Sequence, residues 1–164
     1  MAARTWVIDA ANVVGARPDG WWRDRPGAAA RLYARVLRLL AAAEWPADLA
    51  GQGEAPARVV LILEGAARAG VESGAVSPRT RPDDAGPDGR SSPDGETDGP
   101  SAAEVTLAVV HADGAGDDAI VAEAGDAEPP VLAFTSDRAL RERLVEAGAH
   151  VRGAGALWAL LDDT

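Results

Sequence analysis

The chain has 164 residues, 47% hydrophobic and 26% charged, a balance that supports one globular domain with its own core. It has no cysteine, which excludes disulfides, thiolate zinc sites and cysteine nucleophiles, and all 16 of its basic residues are arginine, which excludes a Walker A loop and Schiff-base chemistry. The formal net charge of -10 argues against a generic basic nucleic-acid binder, but not against an enzyme whose bound cations reverse the local field.

The opening Met1–Asp9 does not read as a signal peptide, because its apolar run is short and ends in a carboxylate. No stretch approaches the ~18–20 apolar residues that span a bilayer, so a cytoplasmic protein without membrane contact is expected. Thr5-Trp-Val-Ile8 is a buried-strand pattern ending in Asp9. Ala10 to Arg25, with Gly15, Pro18, Gly20 and the pair Trp21-Trp22, reads as a loop. Pro26 then opens a helix running to about Ala43, with Leu32, Val36, Leu39 and Leu40 on its apolar face and Arg31, Arg35 and Arg38 on another.

Arg58-Val-Val-Leu-Ile-Leu63 is a second strand, followed by Glu64-Gly65. Ser73 to Ser101 is rich in Pro, Gly, Asp, Ser and Arg and nearly devoid of large apolar side chains; it reads as a disordered insertion within the single domain 1–164. Val105–Val110 is a third strand, with Asp113-Gly-Ala-Gly-Asp117-Asp118 after it and a helix from about Ala119. Val131-Leu-Ala-Phe134 is a fourth strand, ending in Thr135-Ser136-Asp137, and a helix follows through Leu140, Leu144 and Val145. His150-Val151 is a short fifth strand and Ala154 to Leu161 a last helix. Strands alternating with helices imply an α/β fold with a mainly parallel sheet and right-handed crossovers.

Acids follow four of these strands: Asp9, Glu64, Asp113 with Asp117 and Asp118, and Asp137. In open parallel sheets, functional groups gather at the carboxyl ends of strands, where the strand order reverses. Clustered carboxylates repel one another and call for a cation. All-oxygen donors suit Mg²⁺ or Mn²⁺, and the absence of cysteine and scarcity of histidine argue against zinc. Such an ion lowers the pKa of a bound water and stabilises in-line attack on phosphorus without a nucleophilic side chain. The competing explanation is helix capping: Asp117, Asp118 and Asp137 stand where N-caps stand, whereas Asp9 is not expected to precede a helix directly.

The pattern Val-Ile-Asp9-Ala-Ala-Asn12-Val-Val-Gly15 resembles the opening Asp-Gly-Tyr-Asn-Ile-Ile-Gly of NYN domains, above all their YacP-like branch. Asp118-Ala-Ile-Val-Ala-Glu-Ala124 is similar to the helix-opening acid of PIN-like nucleases, and Thr135-Ser136-Asp137 to their Thr/Ser-Ser/Gly-Asp motif. Gly148 to Trp158, with Arg152 ahead of a helix, resembles the YacP-like tail. The resemblance implies a PIN-like, Rossmannoid sheet of about five strands in the order 3-2-1-4-5, helices on both faces, and metal-dependent cleavage of RNA. Strand-end position and resemblance together nominate Asp9, Asp118 and Asp137 as catalytic and metal-binding, with Asp117, Glu64 and Asp113 as further ligands of Mg²⁺ or Mn²⁺. Ala10-Ala11 departs from the family's Gly-Tyr, and Glu64 stands where the branch tends to have Asp.

Asn12, Ser136, Arg138, Arg152 and Arg23 are the candidate RNA-binding side chains; Asn12 could instead hold the Asp9 carboxylate or serve as a turn residue, and Arg138 and Arg152 could simply neutralise the acids. Trp21-Trp22 with Arg23 and Arg25 could stack a base and hold phosphate, although one of the two tryptophans is expected in the core. His111, His150 and Trp158 read as structural. A homodimer is compatible with this reading. The alternatives are a PIN-like module that binds RNA or protein without cleaving, and a nucleoside triphosphate pyrophosphohydrolase. No helical Glu-x-x-Glu metal motif supports the latter.

Overall fold

The computed structural model describes residues 4–42, 56–78 and 105–164. At the centre is β1 (Thr5–Asp9), every residue of which is buried. It pairs in parallel with β2 (Arg58–Leu63) on one side and β5 (Val131–Phe134) on the other, Ile8 lying between Leu61 and Phe134. Beyond β2 lies β4 (Thr106–His111) and beyond β5 lies β6 (His150–Arg152), both parallel to their neighbours. The five expected strands therefore stand in the expected order, 3-2-1-4-5 in the numbering of the sequence reading. A sixth, β3 (Gly74–Val76), runs antiparallel along the outer edge of β4. It takes the first residues of the segment expected to be an insertion. Residues 79–101, the remainder of that segment, lie outside the described residues.

Side-chain alternation divides the core into two layers. Trp6 and Ile8 of β1 face one layer with Leu61, Leu107 and Phe134; Trp6 meets Phe134 edge to face at 5.2 Å. That layer is covered by α2 (Arg25–Ala41), through Leu32, Val36, Leu39 and Leu40, and by α5 (Ala154–Asp162), through Leu157 and Leu161. Val7 faces the other layer with Val60 and Ile62. Ile120 of α3 (Gly116–Asp126) and Leu140 and Leu144 of α4 (Arg138–Glu146) close it. Each such side chain taken fully out of water contributes about 1.5–3 kcal/mol, so the central strand is fixed from both faces.

Two local readings change. Ala10 to Arg25 is not a plain loop: Asp9 is followed at once by a short helix, α1 (Ala10–Gly15), and Trp21–Arg23 forms a 3₁₀ turn. Helix α3 starts at Gly116 rather than Ala119, so Asp117 and Asp118 lie inside its first turn. His111 is structural as expected, its Nε2 lying 2.8 Å from the Val71 carbonyl oxygen. Trp158 is not a fully enclosed core residue; its Nε1 donates to the Val13 carbonyl at 2.7 Å and the Arg17 guanidinium covers its ring at 3.9 Å. Among the described residues no helix is long and apolar enough to cross a membrane.

Candidate functional site

From β1 the chain builds outward to β2 and β4, then crosses through α3 to β5 and β6 on the other flank. The reversal falls between β1 and β5, where an open α/β sheet leaves a crevice at its carboxyl ends. Asp9 ends β1 on one side of that crevice, and Thr135, Ser136 and Asp137 follow β5 on the other.

Asp9 is only 7% exposed. Its Oδ1 accepts from the Asn12 backbone N–H at 3.2 Å, which caps α1, and its Oδ2 accepts from the Thr135 hydroxyl at 2.9 Å. The Thr135 hydroxyl oxygen in turn accepts from the Asp137 N–H at 3.2 Å. Asn12 Oδ1 accepts from the Ser136 N–H at 2.7 Å, and Ser136 Oγ accepts from the Ala154 N–H at 2.9 Å. This chain of bonds ties α1, the β5–α4 loop and the start of α5 into one frame around Asp9. Asn12 and Ser136, expected to touch substrate, are thus engaged in holding the frame. The capping reading, expected to be weakest for Asp9, applies to it as well, because a helix does follow it.

Glu64, just past β2, reaches across to α3, where its Oε2 accepts from the Gly116 N–H at 2.5 Å. A Cβ at position 116 would stand 2.3 Å from that oxygen, so only glycine admits the carboxylate. Asp137 caps α4 through the Leu140 N–H at 2.9 Å. Capping and clustering are therefore not alternatives here: an N-cap uses one carboxylate oxygen and leaves the charge in place.

The electrostatics identify which acids share a field. Burial pushes the Asp9 carboxyl above its ordinary 3.8, and the charges of Asp117 and Glu64 push it further, against the lowering effect of the bonds from Asn12 and Thr135. Asp117 is also raised, by burial first and then by Asp137 and Glu64; Arg143 offsets this only in part. Asp9, Glu64, Asp117 and Asp137 thus form one acidic pole contributed by β1, β2, α3 and the turn after β5. Asp117 has no hydrogen-bond or ion-pair partner among the described residues.

Asp118 is placed differently. It is 77% exposed at the side chain and paired with Arg143 at 2.8 Å. Successive helical residues point about 100° apart, so once α3 starts at Gly116 only one of the adjacent acids can face the crevice. Asp113 is exposed in the loop before α3 and joins no bond of the pole. Arg138 is 93% exposed and lies 3.9 Å from Glu142. Arg152 is exposed on β6, its carbonyl oxygen accepting from the Thr135 N–H at 2.9 Å. Arg23 lies exposed in the 3₁₀ turn. Side chains that matter here but were not singled out are Thr135, which bonds Asp9, and Arg143, which claims Asp118. Thr135 was visible as part of the Thr-Ser-Asp motif; Arg143 carried no signal.

As the side chains stand, no group of three or more acidic or imidazole residues among those described is arranged to hold a metal ion. The donor chemistry nonetheless suits a hard cation. Neighbouring carboxylates raise the proton affinity of Asp9 and Asp117, Arg143 offsetting this only in part at Asp117, and a cation would relieve the same repulsion.

The chain thus has a PIN-like α/β fold, a mainly parallel open sheet with an acidic pole at the switch in strand order. No family of sequences matches the chain, and no curated protein matches it in sequence. Among solved structures, the crystal structure of a mutant of Rae1 (YacP) from Bacillus subtilis is similar, with a TM-score of 0.54 at 13% identity, covering 99% of this chain and 76% of that one. At that identity the likeness is one of fold.

Proposed function

We propose that the protein is a ribonuclease that hydrolyses RNA phosphodiester bonds with Mg²⁺ or Mn²⁺ held by Asp9, Asp117 and Asp137, with Glu64 alongside. The observation that carries this reading is the buried Asp9 at the β1–β5 switch, raised by the charges of Asp117 and Glu64, with Asp137 acting in turn on Asp117 and only Arg143 offsetting it in part. The motif resemblance to the YacP-like branch and the structural likeness to a YacP protein point the same way from separate grounds. A bound divalent ion would activate water and neutralise charge developing on phosphorus.

The chain's own residues supply the rest. Thr135 and the Asn12 N–H fix the Asp9 carboxylate, so its position is set before any ligand arrives. Gly116 lets Glu64 approach α3, bringing the β2 acid beside Asp117. Asp117 lies in the first turn of α3 and Asp137 caps α4, so both stand at helix N-termini beside the crevice. The net negative charge is countered locally. Arg17, Arg31 and Arg35 line a recess with Trp158 on the α1–α2 side, and Arg23 and Arg25 flank the 3₁₀ turn.

The test is an assay of the purified chain on single-stranded and structured RNA, and on nucleoside triphosphates, with Mg²⁺, Mn²⁺ or EDTA. RNA cleavage that needs metal and disappears in Asp9→Asn is expected. Turnover of triphosphates but not RNA would assign a pyrophosphohydrolase instead, and metal binding without turnover of either would leave a binding module.

A further inference from the structure

A small open recess adjoins the acidic pole. Ala10, Ala11 and Val14 of α1 form one wall, the indole of Trp21 another, and Arg25 and Glu64 bring the polar groups. We infer that this recess is a nucleobase-binding subsite, which seats the base of a nucleotide flanking the phosphate at the acidic pole. The inference rests on the ribonuclease reading for the word "flanking", but not for base binding itself.

Four observations carry it. The recess is continuous with the pole: Ala10 follows Asp9 directly, and Glu64 belongs to both. Its lining is mainly apolar, with polar groups only at Arg25 and Glu64, the pattern of small-molecule sites. Trp21 is braced as a platform. Its N–H donates to Asp19 Oδ1 at 3.2 Å, Gly20 before it turns the chain at φ 84°, and Trp22 meets its ring edge-on at 6.0 Å. Finally, the Arg25 guanidinium lies 5.6 Å from the Trp21 ring centroid, with no carboxylate partner among the described residues, so the cation beside the platform is available to a phosphate.

A flat heteroaromatic ring with a hydrogen-bonding edge matches this arrangement: a π-face for Trp21, apolar sides for the alanines, and an N–H edge for the Glu64 carboxylate. An aliphatic side chain of a protein partner would offer nothing to the Arg25 guanidinium or to the Glu64 oxygen not bonded to Gly116. Alanine at positions 10 and 11 keeps the recess open. Trp22, 53% exposed, packs against the back of the platform and does not line the recess.

Two measurements test this. In the first, the four ribonucleoside 5′-monophosphates are titrated by equilibrium dialysis against the wild type, Trp21→Ala, Trp21→Phe and Ala11→Leu. Binding should weaken roughly tenfold or more in Trp21→Ala, survive in Trp21→Phe, and weaken in Ala11→Leu, which fills the recess from an exposed helix position and keeps the test valid if Trp21→Ala fails to fold. In the second, an RNA with one cleavage site carries an abasic nucleotide at each flanking position in turn. One position should raise KM about tenfold in the wild type and have no effect in Trp21→Ala. Wild-type cleavage indifferent to every abasic position, with monophosphate binding unchanged in Trp21→Ala and Ala11→Leu, would overturn the subsite and leave the ribonuclease reading standing. Trp21-dependent monophosphate binding in a chain that cleaves no RNA would uphold the subsite and remove the nuclease. Absence of both base-dependent binding and cleavage overturns both.

Discussion

Two aspartates near opposite ends of α1 are treated in opposite ways. Asp162, at the end of α5, accepts from both Arg17 and Arg35, the latter at 2.9 Å, and these bonds hold its carboxyl below the ordinary range. The same two guanidinium groups lie over the Trp158 ring at 3.9 and 5.7 Å. A negative charge at a helix C-terminus is unfavourable in itself, and the two arginines offset it. Asp9 has the reverse surroundings: buried, near other acids, and pushed up. The residue type is identical; what differs is whether the fold supplies the counter-charge. Where it does, the aspartate closes the structure. Where it does not, the missing charge has to come from a ligand, and this contrast separates a site from a surface ion pair in a chain carrying a net charge of -10.

The contrast breaks most visibly in catalysis. Asp9→Asn, Asp117→Asn and Asp137→Asn should each lower RNA cleavage by more than the ~10–100-fold that loss of an outer-shell metal partner costs, with far-UV circular dichroism unchanged. Asp162→Asn should cleave at the wild-type rate. Asp118→Asn sharpens the comparison, because its carboxylate already has Arg143 at 2.8 Å. It should fall well short of the Asp117→Asn loss. Equal losses at 117 and 118 in single-turnover assays would mean that α3 presents both acids to the substrate.

Much of this was open to reading in the chain alone, for physical reasons. Trp6–Ile8, Val59–Leu63 and Val131–Phe134 are buried on both faces and read as continuous apolar runs, and the acids after them could be located by position. The α1 segment Ala-Ala-Asn-Val-Val-Gly could not. It is six residues long, with two β-branched side chains, and it is held by the Asp9 cap and the burial of Val13, which are tertiary facts. Nor could β3, three exposed residues in a segment of turn-like composition, recruited by the free edge of β4. The choice between Asp117 and Asp118 depended on a helix start three residues earlier than composition indicated, set by the Glu64–Gly116 approach between segments 52 positions apart.

A smaller expected effect concerns metal and stability. An ion bound only by the native state at 100 times its Kd stabilises by about 2.7 kcal/mol, which for a chain of this size moves Tm by several degrees. Millimolar Mn²⁺ should therefore raise the wild-type and Asp162→Asn midpoints together and leave Asp9→Asn nearly flat in differential scanning fluorimetry. An equal rise in all three would place the cation away from the pole.

Smaller again is the effect of pH without metal. The folded chain holds the Asp9 proton more tightly than the unfolded chain, whose carboxyl has the ordinary 3.8. Stability is unaffected below that pH, falls as pH rises from 3.8 to the raised folded value, and stays lowered above it. Asp9→Asn cannot ionise and avoids the loss. Its Tm should match the wild type in acid and exceed it at pH 7, by about 2–4 °C for each kcal/mol of repulsion relieved. A wild type more stable than Asp9→Asn at neutral pH in EDTA would show that the bonds from Asn12 and Thr135 outweigh the burial and the neighbouring acids.

The smallest effect belongs to Asp162, and its sign is opposite. Its folded carboxyl is lowered, so the pair with Arg17 and Arg35 contributes stability above 3.8 that is lost as pH falls through the folded value. Asp162→Asn should thus be slightly less stable than the wild type at pH 7 and equal to it in strong acid. All three charged groups are substantially exposed, with side-chain accessibilities of 34–45%, so the interaction is also open to screening by salt. At ~1 M salt, where the Debye length is about 3 Å, the difference should shrink toward zero, while the buried Asp9 keeps more of its own pH dependence. Melting curves of the two variants at low and high salt therefore separate the aspartates by sign and by screening. An Asp162→Asn deficit that persists undiminished at ~1 M salt would show that this corner is held by packing of the arginine stems on Trp158 rather than by charge.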